Sequence, residues 1–271
     1  MAQIDLKEAT IKIFDGTLGT ATLNSVAVDS DLVVTAVSRH IGTDKISITL
    51  VDPGTASAAL SVAVTGRDIV VNLATSTASA ITSTAAQVKT AIDALPAAAA
   101  LVTVALETAG AGVVDAIAKT TLDGQNSISI KIGEGNLTYS EKRPIEITRD
   151  RGSLDTVRLA DEEPMDVSLD ILWEFITSET GGAVTPEDAL KKIGEAATWV
   201  STADDQCQPY SVDIEVHNAP ACTGTDDEII ILEEYYWETL DHDLRAGTVA
   251  SSGRCNRTLA SVRRVAAADI A

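Results

Sequence analysis

Aromatic residues are scarce in this chain of 271 residues, which has two Phe, three Trp and four Tyr. None of the nine lies between Phe14 and Tyr139, and the three cysteines also fall outside this interval. The tract 18–122 holds only 8 of the 40 acidic and 5 of the 20 basic residues, so the remainder has a net charge of −17. We therefore predict two domains: a discontinuous one of residues 1–17 and 123–271, and an inserted one of residues 18–122.

Long hydrophobic runs are missing as well. The longest nearly uncharged apolar stretch, Leu95 to Leu106, has 12 residues and contains Pro96, so it is too short to span a bilayer. The N-terminal residues show no basic-then-apolar pattern, and we expect no secretory signal. Three cysteines without a CxxC pair do not form a disulfide framework, which indicates synthesis in a reducing cytosol.

Basic residues are outnumbered two to one by acidic ones, and the chain has a net charge of −20 at pH 7. A protein that holds nucleic acid through phosphate contacts needs a surplus of Lys and Arg, so this class is excluded. A surface past which nucleic acid moves without adhering remains compatible with the composition. Because 45% of the residues are hydrophobic, we expect folded domains rather than disorder.

Groups that could perform chemistry are few. Asp241, His242 and Asp243 are adjacent, but neighbouring residues on a strand point to opposite faces, so the three do not converge on one atom. Cys207 and Cys222 lack the tighter pairing and the histidines that zinc sites prefer. No serine lies in a recognisable nucleophile motif. We therefore predict no enzyme, no catalytic residue, no metal site and no cofactor.

The tract 18–122 is predicted to be a small α+β surface domain without chemistry of its own. Thr84 and Gln87 form a capping box that begins a helix, and Pro96 ends it. Alternating or continuous apolar residues predict strands around this helix. The predicted strands cover residues 46–50, 60–64, 69–73 and 101–106.

The remaining, acidic part of the chain shows marked period-2 alternation, which predicts antiparallel strands with one apolar and one polar face. The polar positions include Ser168, Asp170, Glu174, Ser211, Asp213 and Glu215, and also Glu146 between Ile145 and Ile147. A helix begins at Thr185 and Pro186. The predicted fold class is mainly β, an antiparallel β-sandwich or barrel of about eight strands with one flanking α-helix. The side chains of the polar face are hydrated either by bulk water or by the water of a channel. The alternation of residues does not distinguish these two possibilities.

Three segments of the acidic part resemble tail tube proteins of long-tailed, non-contractile bacteriophages. They are residues 133–136 followed by 143–146, residues 161–167, and residues 240–247. The resemblance covers residues 1–17 and 123–265 in the right order. The inserted tract is separately similar to a small module that recurs in phage structural proteins, through residues 46–54, 71–75 and 83–88.

The resemblance implies a β-sandwich or barrel whose copies form six-membered rings that stack into a tube. It implies synthesis and assembly in the cytoplasm of a bacterial host, a final location in the virion tail, and no membrane anchoring. The implied partners are further copies of the chain, the tape measure, tail terminator and distal tail proteins, and double-stranded DNA that passes without sticking. Other virion parts, such as a capsid decoration protein or a tail terminator, and a cell-surface adhesive β-protein are the alternatives.

The resemblance also favours the channel as the place of the polar face. Carboxylates on a channel wall repel DNA, and at physiological salt this repulsion reaches about 8–10 Å. The residues predicted to line the channel are Asp170, Glu174, Asp213, Glu215 and Glu146.

The segment from Arg149 to Asp161 is polar and has alternating charges. We predict that it is a loop that reaches an adjacent subunit, with a solvated connection as the alternative. Its charged residues are Arg149, Asp150, Arg151, Asp155, Arg158 and Asp161.

Overall fold

The structure is a computed structural model that describes residues 9–39, 45–130, 132–150, 153–172, 184–205, 207–218 and 227–265. The chain divides into two compact units. The outer unit comprises Met1–Thr17 and Asn126–Asp269, and the inserted unit comprises Leu18–Gln125. The first boundary lies where the composition changes, and the second falls after Gln125 rather than after residue 122.

Within the described residues, the protein is mainly β, with seventeen strands, three short α-helices and one 3-10 turn (Gly194–Ala196). The strands are β1 (Thr10–Phe14), β2 (Thr20–Leu23), β3 (Leu32–Ala36), β4 (Ser47–Val51), β5 (Ser61–Thr65), β6 (Asp68–Asn72), β7 (Val102–Leu106), β8 (Ile117–Thr121), β9 (Ser127–Ile130), β10 (Ile132–Ser140), β11 (Ile145–Asp150), β12 (Ser153–Leu159), β13 (Met165–Leu172), β14 (Val212–Asn218), β15 (Asp227–Asp243), β16 (Thr248–Cys255) and β17 (Ser261–Val265). The helices are α1 (Ala85–Ala94), α2 (Pro96–Ala99) and α3 (Pro186–Lys191).

The outer unit is built on one antiparallel sheet in the order β10-β13-β16-β15-β14-β1-β9, and β17 also pairs with β15. Strand β15 has 17 residues; its first half pairs with β14 and its second half with β16. Where the halves meet, Glu234 has a φ of 53°, and a Cβ on Gly253 would lie 2.0 Å from the Tyr236 carbonyl oxygen. Glycine is therefore required at this close approach of β16 to β15.

One hydrophobic core contains side chains from both halves of this sheet, β14-β1-β9 and β10-β13-β16. The two halves therefore face each other as in a sandwich. The largest fully buried side chain is Tyr235, whose hydroxyl hydrogen-bonds with the Ser251 hydroxyl at 2.6 Å. The core residues are Ile11, Ile13, Ile128, Ile130, Met165, Val167, Leu169, Ile171, Ala189, Leu190, Ala196, Trp199, Val212, Ile214, Val216, Leu232, Tyr235 and Cys255. The predicted antiparallel fold with a flanking helix is confirmed.

Helix α3 packs against this core and begins as the sequence predicts. The Thr185 hydroxyl accepts a hydrogen bond from the Asp188 backbone N–H, and the Asp188 carboxylate accepts one from the Thr185 N–H. The helix buries Leu190 but ends at a left-handed Lys192 with φ 56°. Ile193 lies beyond the end of the helix and is 46% exposed.

The inserted unit is α+β, as predicted, with a three-stranded sheet β2-β3-β7 and a four-stranded sheet β5-β6-β4-β8. The capping box of Thr84 and Gln87 begins α1, which buries Val88 and Ile92. Pro96 ends α1 and also occupies the first position of α2, where its missing N–H costs nothing. The parallel pairing of β4 with β6 was not predicted, because both strands are short apolar runs without a register signal.

Candidate assembly and conduit surfaces

Strand β14 carries Asp213 and Glu215, two of the residues predicted to line a channel. Each is only 1% exposed. The Asp213 carboxylate accepts a hydrogen bond of 2.8 Å from the backbone N–H of Glu234, and its cross-strand neighbour is the buried Phe14. Glu215 lies opposite the buried Ile231. The prediction that these two carboxylates face water is therefore wrong, because the second face of this half of the sheet is covered too.

The other half of the sheet has a polar face that is open to solvent. Asp170 on β13 pairs with Ala250 on β16, and Ala250 pairs with Asp241 on β15. Paired residues of antiparallel strands share a face, so the two aspartates occupy one row. Asp170 is half-buried and Asp241 is exposed. We call this surface the acidic face, and its polar side chains are Asp166, Ser168, Asp170, Tyr236, Thr239, Asp241, Asp243, Thr248, Ser252 and Arg254. Glu238 lies at the bulge of β15 and joins them through an ion pair with Arg254.

One end of the acidic face is neutralised and the other is not. Lys142 Nζ lies 2.7 Å from Asp166 Oδ2, and Arg254 Nε lies 3.2 Å from Asp166 Oδ1. The hydrogen bond from Lys142 lowers the pKa of the Asp166 carboxyl, and the same bond raises the pKa of Lys142. In the part of the chain that the structure describes, no basic side chain forms an ion pair with Asp170 or Asp241. The open carboxylates thus lie toward the end that carries Asp241.

Asp241 and Asp243 were considered from the sequence only as catalytic candidates, and their place on a polar face was not predicted. The alternation of Thr239, Asp241 and Asp243 was the available signal. His242 points the other way, and its Nε2 lies 3.8 Å from Glu187 Oε1 on α3. The expectation that the three adjacent residues do not converge is therefore confirmed.

Two further lining candidates have different outcomes. Glu174 lies outside the described residues. Glu146 is exposed, but it belongs to β11 and lies opposite Arg158 on β12, in a separate two-stranded sheet. Glu146 is therefore not part of the acidic face.

Strands β11 and β12 form a hairpin, which we call the arm (residues 145–159). Among the described strands, none pairs with it. Ile145 and Leu159 face each other in register, and the exposed fractions of Ile145, Ile147 and Leu159 are 57%, 53% and 64%. The sequence predicted a buried apolar face for Ile145 and Ile147, and this prediction is wrong for the single chain because no described element covers them.

The arm also corrects the prediction of a loop from Arg149 to Asp161. Most of that segment is strand rather than loop. Arg149 and Asp150 end β11, Asp155 and Arg158 lie in β12, and Arg151 is outside the described residues. Arg158 and Asp161 are exposed.

The described residues contain no group of three or more His, Cys, Asp or Glu side chains placed to hold a metal ion. His217 has its Nε2 at 3.0 Å from Asp227 Oδ2, in a largely buried pair. Cys207 is exposed and Cys255 is buried, both as free thiols, and Cys222 is outside the described residues. None of the described helices is both long enough and apolar enough to cross a membrane.

Comparison with protein-family models, curated proteins and solved structures finds no match to this chain. The resemblance to tail tube proteins therefore rests on the sequence segments alone and enters below as a proposal.

Proposed function

We propose that this chain is a structural protein that assembles with copies of itself into stacked six-membered rings, the tail tube of a long-tailed phage, through which genomic DNA passes. The observation that carries the proposal is the arm. The ring size, the virion location and the tape measure, tail terminator and distal tail partners come from the sequence resemblance.

The arm needs a partner for physical reasons. A two-stranded hairpin is at best marginally stable alone in water. Three large aliphatic side chains, Ile145, Ile147 and Leu159, are each more than half exposed on it. A cluster of exposed apolar side chains on a soluble protein marks an interaction site. The simplest partner is a neighbouring copy, because every copy in a ring then gives one arm and receives one.

The charge of the arm favours the same partner. Residues 145–159 contain three acids and three bases and are neutral, whereas the whole chain has a net charge of −20. Copies with so large a charge of one sign repel one another at low ionic strength. The neutral arm approaches another copy without this repulsion.

The edges of the outer sheet support self-association as well. In the described part of the sheet, β9 pairs only with β1 and β10 only with β13, so each leaves one row of backbone N–H and C=O groups unpaired. Such edges pair readily with further strands. Ring closure satisfies the free edges of β9 and β10 at once, whereas an open association leaves one of these two free.

The acidic face supports a conduit. DNA binds to a wall of Lys and Arg side chains because binding releases its counterions. A wall of carboxylates does not attract DNA in this way. Asp170, Asp241 and Asp243 lie on solvent-facing rows, and Asp213 and Glu215 no longer contribute. The repulsion acts within about 8–10 Å at physiological salt, so it keeps a thin hydrated gap between wall and DNA.

Negative-stain electron microscopy of the purified full chain tests the proposal. We expect six-fold rings or hollow filaments, and size-exclusion chromatography with light scattering should show masses that are multiples of the protomer. Trimers or particles that bind only to capsids would identify a decoration protein instead. A protein that stays monomeric at all concentrations, with or without other tail proteins, would refute the proposal.

A further inference from the structure

A cleft of about 550 Å³ opens on the outer unit, and one of its lining residues, Tyr236, pairs in register with Arg254 of the acidic face. Its volume is within the range of small-molecule sites. It is formed by α3, by the segment before β14, by β15 and by the end of β16. The residues that line it are Leu190, Lys191, Gln208, Pro209, Tyr210, Tyr236, Trp237 and Asn256.

The aromatic walls are held in place before any ligand binds. The Tyr210 hydroxyl donates a hydrogen bond of 2.9 Å to the Ala189 carbonyl oxygen, and the Lys192 ammonium lies 5.5 Å from the centre of the Tyr210 ring. The Tyr236 hydroxyl donates to Gln208 Oε1 at 2.7 Å. Trp237 adds a ring that is 38% exposed. Rigid aromatic walls reduce the entropy that binding costs.

The polar groups of the cleft leave both donors and acceptors for a ligand. Gln208 uses its Oε1 for Tyr236, which leaves its amide N–H groups. Asn256 donates its Nδ2 to Glu234 Oε2 at 3.0 Å, which leaves its Oδ1 as an acceptor. Among the described residues, no acceptor pairs with the Trp237 indole N–H. A ligand thus meets two donors and one acceptor beside apolar rings.

The cleft is electrically neutral. Lys191 is the one charged residue in its lining, and its ammonium is 2.5 Å from Glu187 Oε1. A charged ligand would meet no unpaired charge in the lining itself, and an anionic one would also meet a chain of net charge −20. The site therefore selects a neutral ligand with one apolar face and several hydroxyl groups.

We propose that this cleft binds a neutral sugar, of the size of a disaccharide, on the surface of the outer unit. The C–H face of a pyranose ring stacks on an aromatic face, which carries partial negative charge. Its hydroxyls both donate and accept, so they match Asn256 Oδ1 and the N–H groups of Gln208 and Trp237 together. A proline-rich peptide also stacks on aromatic grooves, but its prolines have no N–H to offer to Asn256.

The test is an array of neutral oligosaccharides of glucose, galactose, mannose and N-acetylglucosamine, followed by calorimetry of the full chain with the best-bound disaccharide. Trp237→Ala should weaken that binding about tenfold or more, since it removes a stacking ring and a donor. Gln208→Ala, on an exposed segment, should weaken it about threefold to tenfold. Tyr139→Ala is the matched control, because Tyr139 is 37% exposed and lies outside the cleft, and it should leave binding unchanged.

Thermal unfolding of each variant separates lost binding from lost folding, and Gln208→Ala keeps the test decisive if Trp237→Ala is unstable. Three results overturn the proposal: no neutral glycan binds the wild-type chain, binding is the same in the Trp237 and Gln208 variants, or a decaproline peptide binds in a Trp237-dependent manner while sugars do not. The proposal does not depend on assembly, so monomers and rings are both suitable samples.

Discussion

Asn126 donates a hydrogen bond of 2.8 Å from its Nδ2 to Asp15 Oδ2, although the two residues are 111 positions apart in the chain. The same carboxylate accepts from the backbone N–H of Thr17 at 3.0 Å and from that of Val200 at 3.1 Å. Asp15 is 2% exposed, so the shared acceptor is buried although its donors lie in partly exposed residues. One buried carboxylate therefore holds together the two points at which the chain leaves and re-enters the outer unit.

This arrangement predicts that the inserted unit is removable. A chain in which residues 18–125 are replaced by a short Gly-Ser linker should fold, because both ends of the cut are already joined through Asp15. Cooperative urea unfolding followed by tryptophan fluorescence checks this. Asp15→Ala in the same shortened chain should lower the free energy of unfolding by about 1–2 kcal/mol, since several partly exposed donors lose a charged acceptor. A molten or insoluble shortened chain would contradict the prediction.

Removing the apolar character of the arm should block assembly and spare the fold. In the double variant Ile145→Asp with Leu159→Asp, the two new carboxylates face each other in register on an exposed surface. We expect the particles to dissociate to protomers in sedimentation velocity experiments, with the thermal unfolding temperature of the protomer nearly unchanged. Because the side chains are exposed in the single chain, their replacement exposes no core.

The matched control for the arm changes two exposed valines of the inserted unit. Val26 and Val28 are 96% and 92% exposed, and Val26→Asp with Val28→Asp adds the same charge to the inserted unit instead. This variant should assemble like the wild type. Equal loss of assembly in both variants would point to net charge as the cause and would remove the arm from the proposal.

Reversing the charge of the acidic face should make DNA adhere. The double variant Asp170→Lys with Asp241→Lys places two basic side chains in the same cross-strand row of the acidic face. We expect tubes that still form but retain double-stranded DNA in filter-binding assays, with retention that falls steeply as salt rises. Under the proposed conduit function, phage that carry this variant should eject their genome more slowly. Asp170→Asn with Asp241→Asn is the control, which removes charge without adding bases, and normal ejection with the lysine variant would contradict a conduit role.

Asp213 and Asp170 should differ in their effect on stability, although both alternate with apolar residues in sequence. Asp213→Ala leaves the buried N–H of Glu234 without its acceptor and should cost about 2–3 kcal/mol in the free energy of unfolding. Asp170→Ala, at a half-buried surface position, should change it by about 0.5 kcal/mol or less. Urea titrations of the two variants at neutral pH check the contrast. Similar values for both would mean that the burial of Asp213 is wrong.

Burial raises the pKa of the Cys255 thiol to about 12, from 9.0, and the pKa of the Tyr235 phenol to about 12, from 10.0. Because both pKa values are higher in the folded chain, their contribution to stability is complete below pH 9.0 and is lost progressively as the pH rises toward 12. Unfolding by urea should therefore become easier above about pH 9.

In a Cys222→Ser background, a thiol reagent near pH 8 should modify Cys207 quickly and Cys255 only after unfolding.

Much of the fold was readable from local patterns. The capping boxes at Thr84 and Thr185 depend only on residues three apart, so their helices begin where the sequence predicts. The strict alternation from Val167 to Ile171 identified a strand with one buried face. The distribution of aromatic residues and charges marked the insertion because the two compact units differ in composition.

The sites were less predictable because they depend on what covers a strand. Alternation places Asp213 and Asp170 on the polar side of their strands equally well, yet the first is buried and the second is not. The same pattern at Ile145 and Ile147 predicted a buried face, and these residues are exposed. Register decided that Asp241 joins Asp170 in one row, since residues 71 positions apart meet only through the pairing of β13, β16 and β15.

The sequence by itself determined the mainly β class, the insertion and the helix starts, because these follow from the composition of segments and from hydrogen bonds between near neighbours. Tertiary structure alone decided which carboxylates are exposed, which apolar side chains lack a cover, and where the aromatic residues Tyr210, Tyr236 and Trp237 form a cleft. The physical reason is that period-2 alternation fixes the side of a strand on which a residue lies, whereas exposure to water depends on elements that are distant in the chain.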